Sequence, residues 1–136
     1  MHQICIGHDL NRSRFGGSCD MVPPATQDQN KNREDLIVIY VVATLTVKPE
    51  TRAEFIAAAT ACIKETRKEP GNIAYDLHES VTDPSKMVFV EQWDNADALV
   101  PHRSAAHMKT FGRVAVQCMS APPKIEIITP EKVDVR

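Results

Sequence analysis

The 136-residue sequence has no apolar run that could cross a bilayer; the longest, Leu36 to Ala43, falls far short of the roughly 20 residues a helical span requires. It has no surplus of either charge. Sixteen Lys and Arg stand against 18 Asp and Glu, for a net charge of −2, so long-range attraction to nucleic acid or to an anionic membrane surface is not expected. No GxxxxGK(S/T) or GxGxxG phosphate loop occurs, no GxSxG elbow and no HExxH pair. Without a dinucleotide-binding βαβ unit, neither a flavin nor a nicotinamide is signalled. The four cysteines, Cys5, Cys19, Cys62 and Cys118, include no CxxC or Cys/His zinc spacing. No secretory-type apolar segment precedes them. Structural thiols in a reducing cytoplasm are therefore expected, with Cys62 and Cys118 as small buried apolar groups.

What is present is an ordinary globular composition, 43% hydrophobic and 25% charged, in a chain of one-domain length. A domain this small leaves much apolar surface uncovered, which favours self-association. Residues 1–36 are rich in Asn, Gln, Ser, Gly, Asp and Arg and show little periodicity. They are expected to be a disordered tail, or sequence translated ahead of the true start, because they cannot bury enough apolar area to offset ordering. Residues 131–136 form a short C-terminal tail.

Between them, residues 37–130 alternate element types. Ile37 to Val47 is β-branched and apolar throughout, predicting a first strand buried on both faces. Lys48-Pro49-Glu50 turns the chain into a helix, with Thr51 placed to cap nearby amides. Phe55, Ile56, Ala59, Cys62, Ile63 and Thr66 share its apolar face. Glu69-Pro70-Gly71-Asn72 ends that helix. Strands Ile73–Ser80 and Lys86–Trp93 flank the turn Thr82-Asp83-Pro84-Ser85 and form a hairpin. Asp94 or Asn95 caps a short helix to His102, a second helical piece runs from Ser104 to about Cys118, and Lys124–Thr129 is the last strand. The order βαββαβ predicts a ferredoxin-like α+β fold, a four-stranded antiparallel sheet with helices on one face. If both faces of the sheet are apolar, a second copy stacked face to face is the simplest cover, so a homodimer is expected.

The sharpest local pattern is Phe89-Val90-Glu91-Gln92-Trp93. Strand alternation puts Phe89, Glu91 and Trp93 on one face, and a half-buried carboxylate between two aromatics needs a partner. His102 and His107 follow shortly after, and one imidazole could fold back over Glu91 and Trp93. A Glu–His contact would fix the tautomer and raise the imidazole pKa, as general acid/base work needs. Tyr75 and His78, three apart on a strand, point to opposite faces, so at most one joins the same pocket. Two histidines and a carboxylate could assemble a metal triad, but no spacing fits one closely, and no metal is expected.

Together, Glu69-Pro70-Gly71-Asn72-Ile73-Ala74-Tyr75-Asp76-Leu77-His78, the turn Asp83-Pro84, Phe89-Val90-Glu91-Gln92-Trp93 and the pair His102, His107 resemble the antibiotic biosynthesis monooxygenase family. The closest branch is its small bacterial quinol-monooxygenase-like members. The resemblance spans Ile39 to Ile128. It implies a dimeric α+β barrel and a pocket between sheet and helices. It also implies oxygenation of a small aromatic quinol or phenol by O2 with no metal or flavin, the substrate anion itself reducing O2. On that reading His102 is the base, Glu91 orients it, and Tyr75 or His78 bonds the substrate oxygen. Trp93, Phe89 and Phe111 wall the pocket, with His107 beside them. Haem-degrading relatives carry an Asn on the first strand; none stands between Val41 and Val47, so haem cleavage is not expected. The alternatives are an isomerase of a small polar carbonyl compound, which predicts a polar pocket, and a non-catalytic ligand-binding dimer.

Overall fold

The computed structural model describes residues 37–136. The expected N-terminal tail, with Cys5 and Cys19, lies outside them. Four strands form one antiparallel sheet: β1 (Ile39–Thr46), β2 (Asn72–Glu79), β3 (Lys86–Trp93) and β4 (Lys124–Ile128), in the order β2-β3-β1-β4. Three α-helices, α1 (Arg52–Thr66), α2 (Leu99–Ser104) and α3 (Ala106–Cys118), complete the ferredoxin-like α+β fold among the described residues. β1 and β3 are central because the longest β-branched and apolar runs can give up solvent on the side that the helices cover.

The registers decide what points where. Val41 pairs with Glu91 and with Ile127, and Ala43 with Phe89 and Ile125. Tyr75 faces Glu91 from the other side. Paired residues share a face, so these side chains point to the helix side of the sheet with Ile39, Leu45, Met87 and Trp93, although Ile125 and Ile127 lie beyond the reach of the helices. α1 and α3 pack across that face, joined by the edge-to-face contact of Phe55 and Phe111 at 5.5 Å. The core is this single layer between sheet and helices.

Some expectations change at this scale. β1 is not buried on both faces within one chain: Ile39, Val41, Ala43 and Leu45 are buried, while Tyr40, Val42, Thr44 and Thr46 are half-buried. One helical layer covers one side only. Thr51 does not cap amides. Its hydroxyl donates instead to the carbonyls of Lys48 and Cys118, 3.4 and 3.3 Å away, because a 3-10 turn at Pro49–Thr51 precedes α1. The capping residue before the short helices is Asn95, whose Oδ1 accepts from the Ala98 amide at 3.0 Å. The helix break falls at Ala105, in extended conformation (ψ 146°), which lets α2 and α3 diverge.

Gly71 makes the turn from α1 into β2 possible. Its φ is +84°, and a Cβ there would come within 2.6 Å of Asp94 Oδ1 and 2.7 Å of Ala98 Cβ. Its carbonyl also receives the Asp94 amide at 2.9 Å, clamping the start of β2 to the end of β3. Gly71→Ala should therefore cost about 1–3 kcal/mol. Urea denaturation checks this by a lower midpoint at unchanged slope; an unchanged midpoint would show that the turn relaxes freely.

Candidate functional site

Between the sheet and the helices lies a cavity of about 350 Å3. Its walls are mostly aliphatic and aromatic, from Val41 and Leu45 on β1, Phe89 on β3, and Met108, Phe111 and Ala115 on α3. Ile125 and Ile127 of β4 line the open side and remain about half exposed, because α1–α3 do not reach that edge. Three buried polar side chains enter this apolar space together: Tyr75, Glu91 and His102. A largely apolar pocket with a few convergent polar groups is the usual form of a small-molecule site.

His102 is held from several directions. Its ring lies 4.7 Å from that of Trp93 and 5.6 Å from that of Tyr75, centroid to centroid, and only 4% of the residue is exposed. Nδ1 sits 2.9 Å from Oε1 of Glu69. The same oxygen lies 2.6 Å from Nε2 of His107. A carboxylate oxygen can only accept, so each imidazole donates its N–H to Glu69. That fixes His102 as the Nδ1–H tautomer and leaves Nε2 with a free lone pair. No hydrogen bond from a described residue occupies that nitrogen, and it is not sealed from solvent-sized probes.

Glu91 is the second carboxylate. One oxygen, Oε2, accepts the Trp93 indole N–H at 2.9 Å, and the residue is 6% exposed. Burial pushes its pKa up to about 7; the nearby Glu69 charge adds to the rise and the Trp93 hydrogen bond opposes it. The carboxyl therefore titrates near neutrality. The Tyr75 hydroxyl is driven far above its ordinary range, chiefly by burial and next by the Glu91 charge, so it stays protonated and acts as a donor. Burial likewise raises the Cys62 thiol, which excludes it as a ready nucleophile.

Of the eight residues expected from sequence, five meet at the cavity: Glu91, His102, Tyr75, Phe89 and Phe111. Trp93 and His107 stand behind them, in contact with His102 or its carboxylate rather than on the wall. His78 is a correction. It pairs with Val88 on the opposite face of the sheet, exposed, because strand alternation sends it away from Tyr75. The orienting carboxylate is also corrected: Glu69, not Glu91, holds His102. In the sequence Glu69 marks a helix-ending turn and opens the run Glu69–His78, and nothing in that pattern points to a partnership with histidines. The triad of Glu69, His102 and His107, whose donor atoms lie within 4.8 Å of one another, assembles from positions that no sequence spacing connects.

Comparison with known proteins agrees with this architecture. The model of a family described as antibiotic biosynthesis monooxygenase matches residues 38–114. YcnE of Bacillus subtilis (strain 168), provisionally named a monooxygenase, is 35% identical over 85 residues, covering 62% of this chain and 90% of that protein. A crystal structure of a conserved protein from Methanosarcina mazei Go1 superposes with a TM-score of 0.69 at 28% identity, over 74% of this chain and 99% of the other. The structure of Rv0793 from Mycobacterium tuberculosis gives a TM-score of 0.67 at 26% identity, over 72% and 99%.

The raised Glu91 pKa has a consequence for stability. An unfolded glutamate titrates near 4.5, whereas here the value is about 7, so folding binds a proton between those values. Stability then falls as pH rises through that window, and the penalty is complete above it. Glu91→Gln keeps an acceptor for Trp93 but removes the charge. It should match the wild type at pH 5 and exceed it by up to about 3 kcal/mol at pH 8. Chemical denaturation at the two pH values measures this; an equal difference at both would contradict the assignment.

Proposed function

We propose that this chain, which belongs to the antibiotic biosynthesis monooxygenase family, oxygenates a small aromatic quinol, phenol or anthrone-like compound with O2 and no bound cofactor. The observation that carries the reading is His102, its Nδ1 tied to Glu69 and its Nε2 free beside an apolar cavity of about 350 Å3. That volume accommodates a compound of a few rings and little more.

The residues divide the work. The free Nε2 accepts the proton of the substrate's hydroxyl or activated C–H, and Glu69 stabilises the imidazolium that results. Tyr75, kept neutral by burial, donates to the substrate oxygen. The apolar walls exclude water and leave the substrate anion electron-rich. For an anthrone-like substrate the carbanion transfers electrons to O2 and a C–O bond forms, giving a peroxide that takes back the imidazolium proton. Loss of the remaining C–H proton then breaks the O–O bond. One oxygen stays as a carbonyl and the other leaves as water. Glu91, titrating near neutrality, is placed to receive or return a proton in that second stage. The apolar lining weighs against an isomerase of a polar carbonyl compound, and free buried Cys62 and Cys118 fit a cytoplasmic setting.

The same reading includes a homodimer. Tyr40 and Val42 on β1, Val88 and Val90 on β3 and Ile128 on β4 form an apolar strip on the sheet face that no helix of the described residues covers. A second sheet laid on that strip would remove it from water.

An oxygen electrode tests the chemistry. Metal-free protein should consume O2 with at least one member of a hydroquinone and anthrone panel, and His102→Gln should lower kcat on the order of 100- to 10,000-fold. No enzyme-dependent uptake, or uptake that chelator abolishes, overturns the reading. Light scattering at micromolar concentration tests the assembly separately. It should return twice the chain mass for the wild type and the chain mass for Val90→Asp; a monomeric wild type rejects the dimer.

A further inference from the structure

Glu69, His102 and His107 offer one carboxylate and two imidazole donors that converge from the end of α1, from α2 and from α3. The catalytic reading gives Glu69 the tasks of fixing the His102 tautomer and stabilising its imidazolium, and it assigns no role to His107 or to the convergence of the three donors. We propose that these three side chains form a binding site for a divalent transition-metal ion, with Zn2+ as the best chemical match. The donor atoms are Oε1 of Glu69, Nδ1 of His102 and Nε2 of His107.

Two neutral imidazoles and a carboxylate are the donor set that Zn2+ and its neighbours favour, with a remaining position left for water. The spacing is close to what such an ion needs. Ligands at about 2.0–2.1 Å around a tetrahedral centre stand about 3.3 Å apart. Here the carboxylate oxygen is 2.9 and 2.6 Å from the two nitrogens and all three donor atoms lie within 4.8 Å of one another, so the oxygen moves outward by several tenths of an ångström as the ion enters. His107 and Glu69 supply that freedom and the way in, with side chains 20% and 13% exposed, whereas His102 is anchored at 6%. As the ion binds, the proton on each coordinating nitrogen moves to the other nitrogen of the same ring, so both imidazoles stay neutral and the Glu69 carboxylate offsets part of the ion's charge.

Binding has a structural consequence for the cavity. With Nδ1 coordinated, the one proton of neutral His102 must sit on Nε2. The nitrogen beside the cavity then changes from acceptor to donor. The metal would therefore hold His102 in the tautomer that cannot accept a substrate proton, and the site acts as an off-switch rather than a cofactor site. That last step rests on the proposed role of His102 as base; the binding and the tautomer change do not.

The experiment uses the full chain, free of any affinity tag and stripped of metal, titrated with Co2+ and then Zn2+. The wild type should take up one equivalent of Co2+ with the visible absorption of a low-coordinate site, and Zn2+ should displace it. Glu69→Gln and His107→Gln should each weaken binding about 100-fold or more, a loss at least as large as removal of an outer-shell partner brings. His78→Gln, on the other face of the sheet, should bind as the wild type does. Nitrogen-15 spectra of the imidazoles should show the His102 proton moving to Nε2 on addition of Zn2+. No stoichiometric uptake, equal uptake by the Glu69 and His107 variants, or an unmoved His102 proton each overturns the proposal. Thermal melting of the two variants separates lost ligands from lost folding, and the imidazole spectra of the wild type decide if either variant fails to fold. Oxygen uptake plays no part in these readouts, so they stand or fall apart from the monooxygenase reading.

Discussion

The carboxylate of Glu69 lies in a turn after α1, yet it is joined to side chains 33 and 38 residues further along the chain. A side chain only 13% exposed cannot carry charge without partners, and both of its donors are imidazoles. This one contact fixes the tautomer of His102, a residue that lines the cavity, and anchors α2 and α3 to the turn. The turn itself depends on Gly71, whose positive φ and close approach to Asp94 leave no room for a side chain. Backbone geometry at one glycine is thus coupled to the orientation of the principal candidate base.

A second carboxylate is handled in the opposite way. Glu91 receives an indole N–H from Trp93 and no cationic or imidazole partner, and burial raises its pKa to about 7. The two acids are near enough for each charge to be felt, since the Glu69 charge contributes to that rise. One carboxylate is held by two N–H donors; the other accepts one indole N–H, and burial raises its pKa to about 7.

The sheet was legible in the sequence because period-two alternation and turn residues mark each strand without reference to the rest of the chain. Phe89, Glu91 and Trp93 could be put on one face by counting, and the same counting separated Tyr75 from His78. Counting could not say which of that pair met the helices. The register does: Tyr75 opposite Glu91, His78 opposite Val88. Glu69 escaped for a different reason. Its partners are reached only through the folding of α1 against α3 and the break at Ala105, and neither leaves a periodic trace. The sequence pattern paired His102 with Glu91, whereas the carboxylate within hydrogen-bond reach of it is Glu69. The reading of β1 as buried on both faces failed for want of a second layer: an all-apolar run signals that solvent must be excluded, but not by which chain.

The two faces of the sheet now carry different obligations. On the helix side the strands leave a cavity whose walls are complete except along β4, where Ile125 and Ile127 are 60% and 49% exposed. On the other side Tyr40, Val42 and Val90 form a strip that no helix among the described residues covers. Filling the cavity with side chains would have given a better core, since a void forfeits contacts that a packed interior makes. Instead the chain places Tyr75, Glu91 and His102 there, polar groups that destabilise a dry core unless something binds among them. Stability is given up at the one place where three convergent proton-handling groups meet an apolar hollow. An apolar hollow with a few convergent polar groups is the usual form of a small-molecule site, and here that form is kept at the expense of a fully packed core.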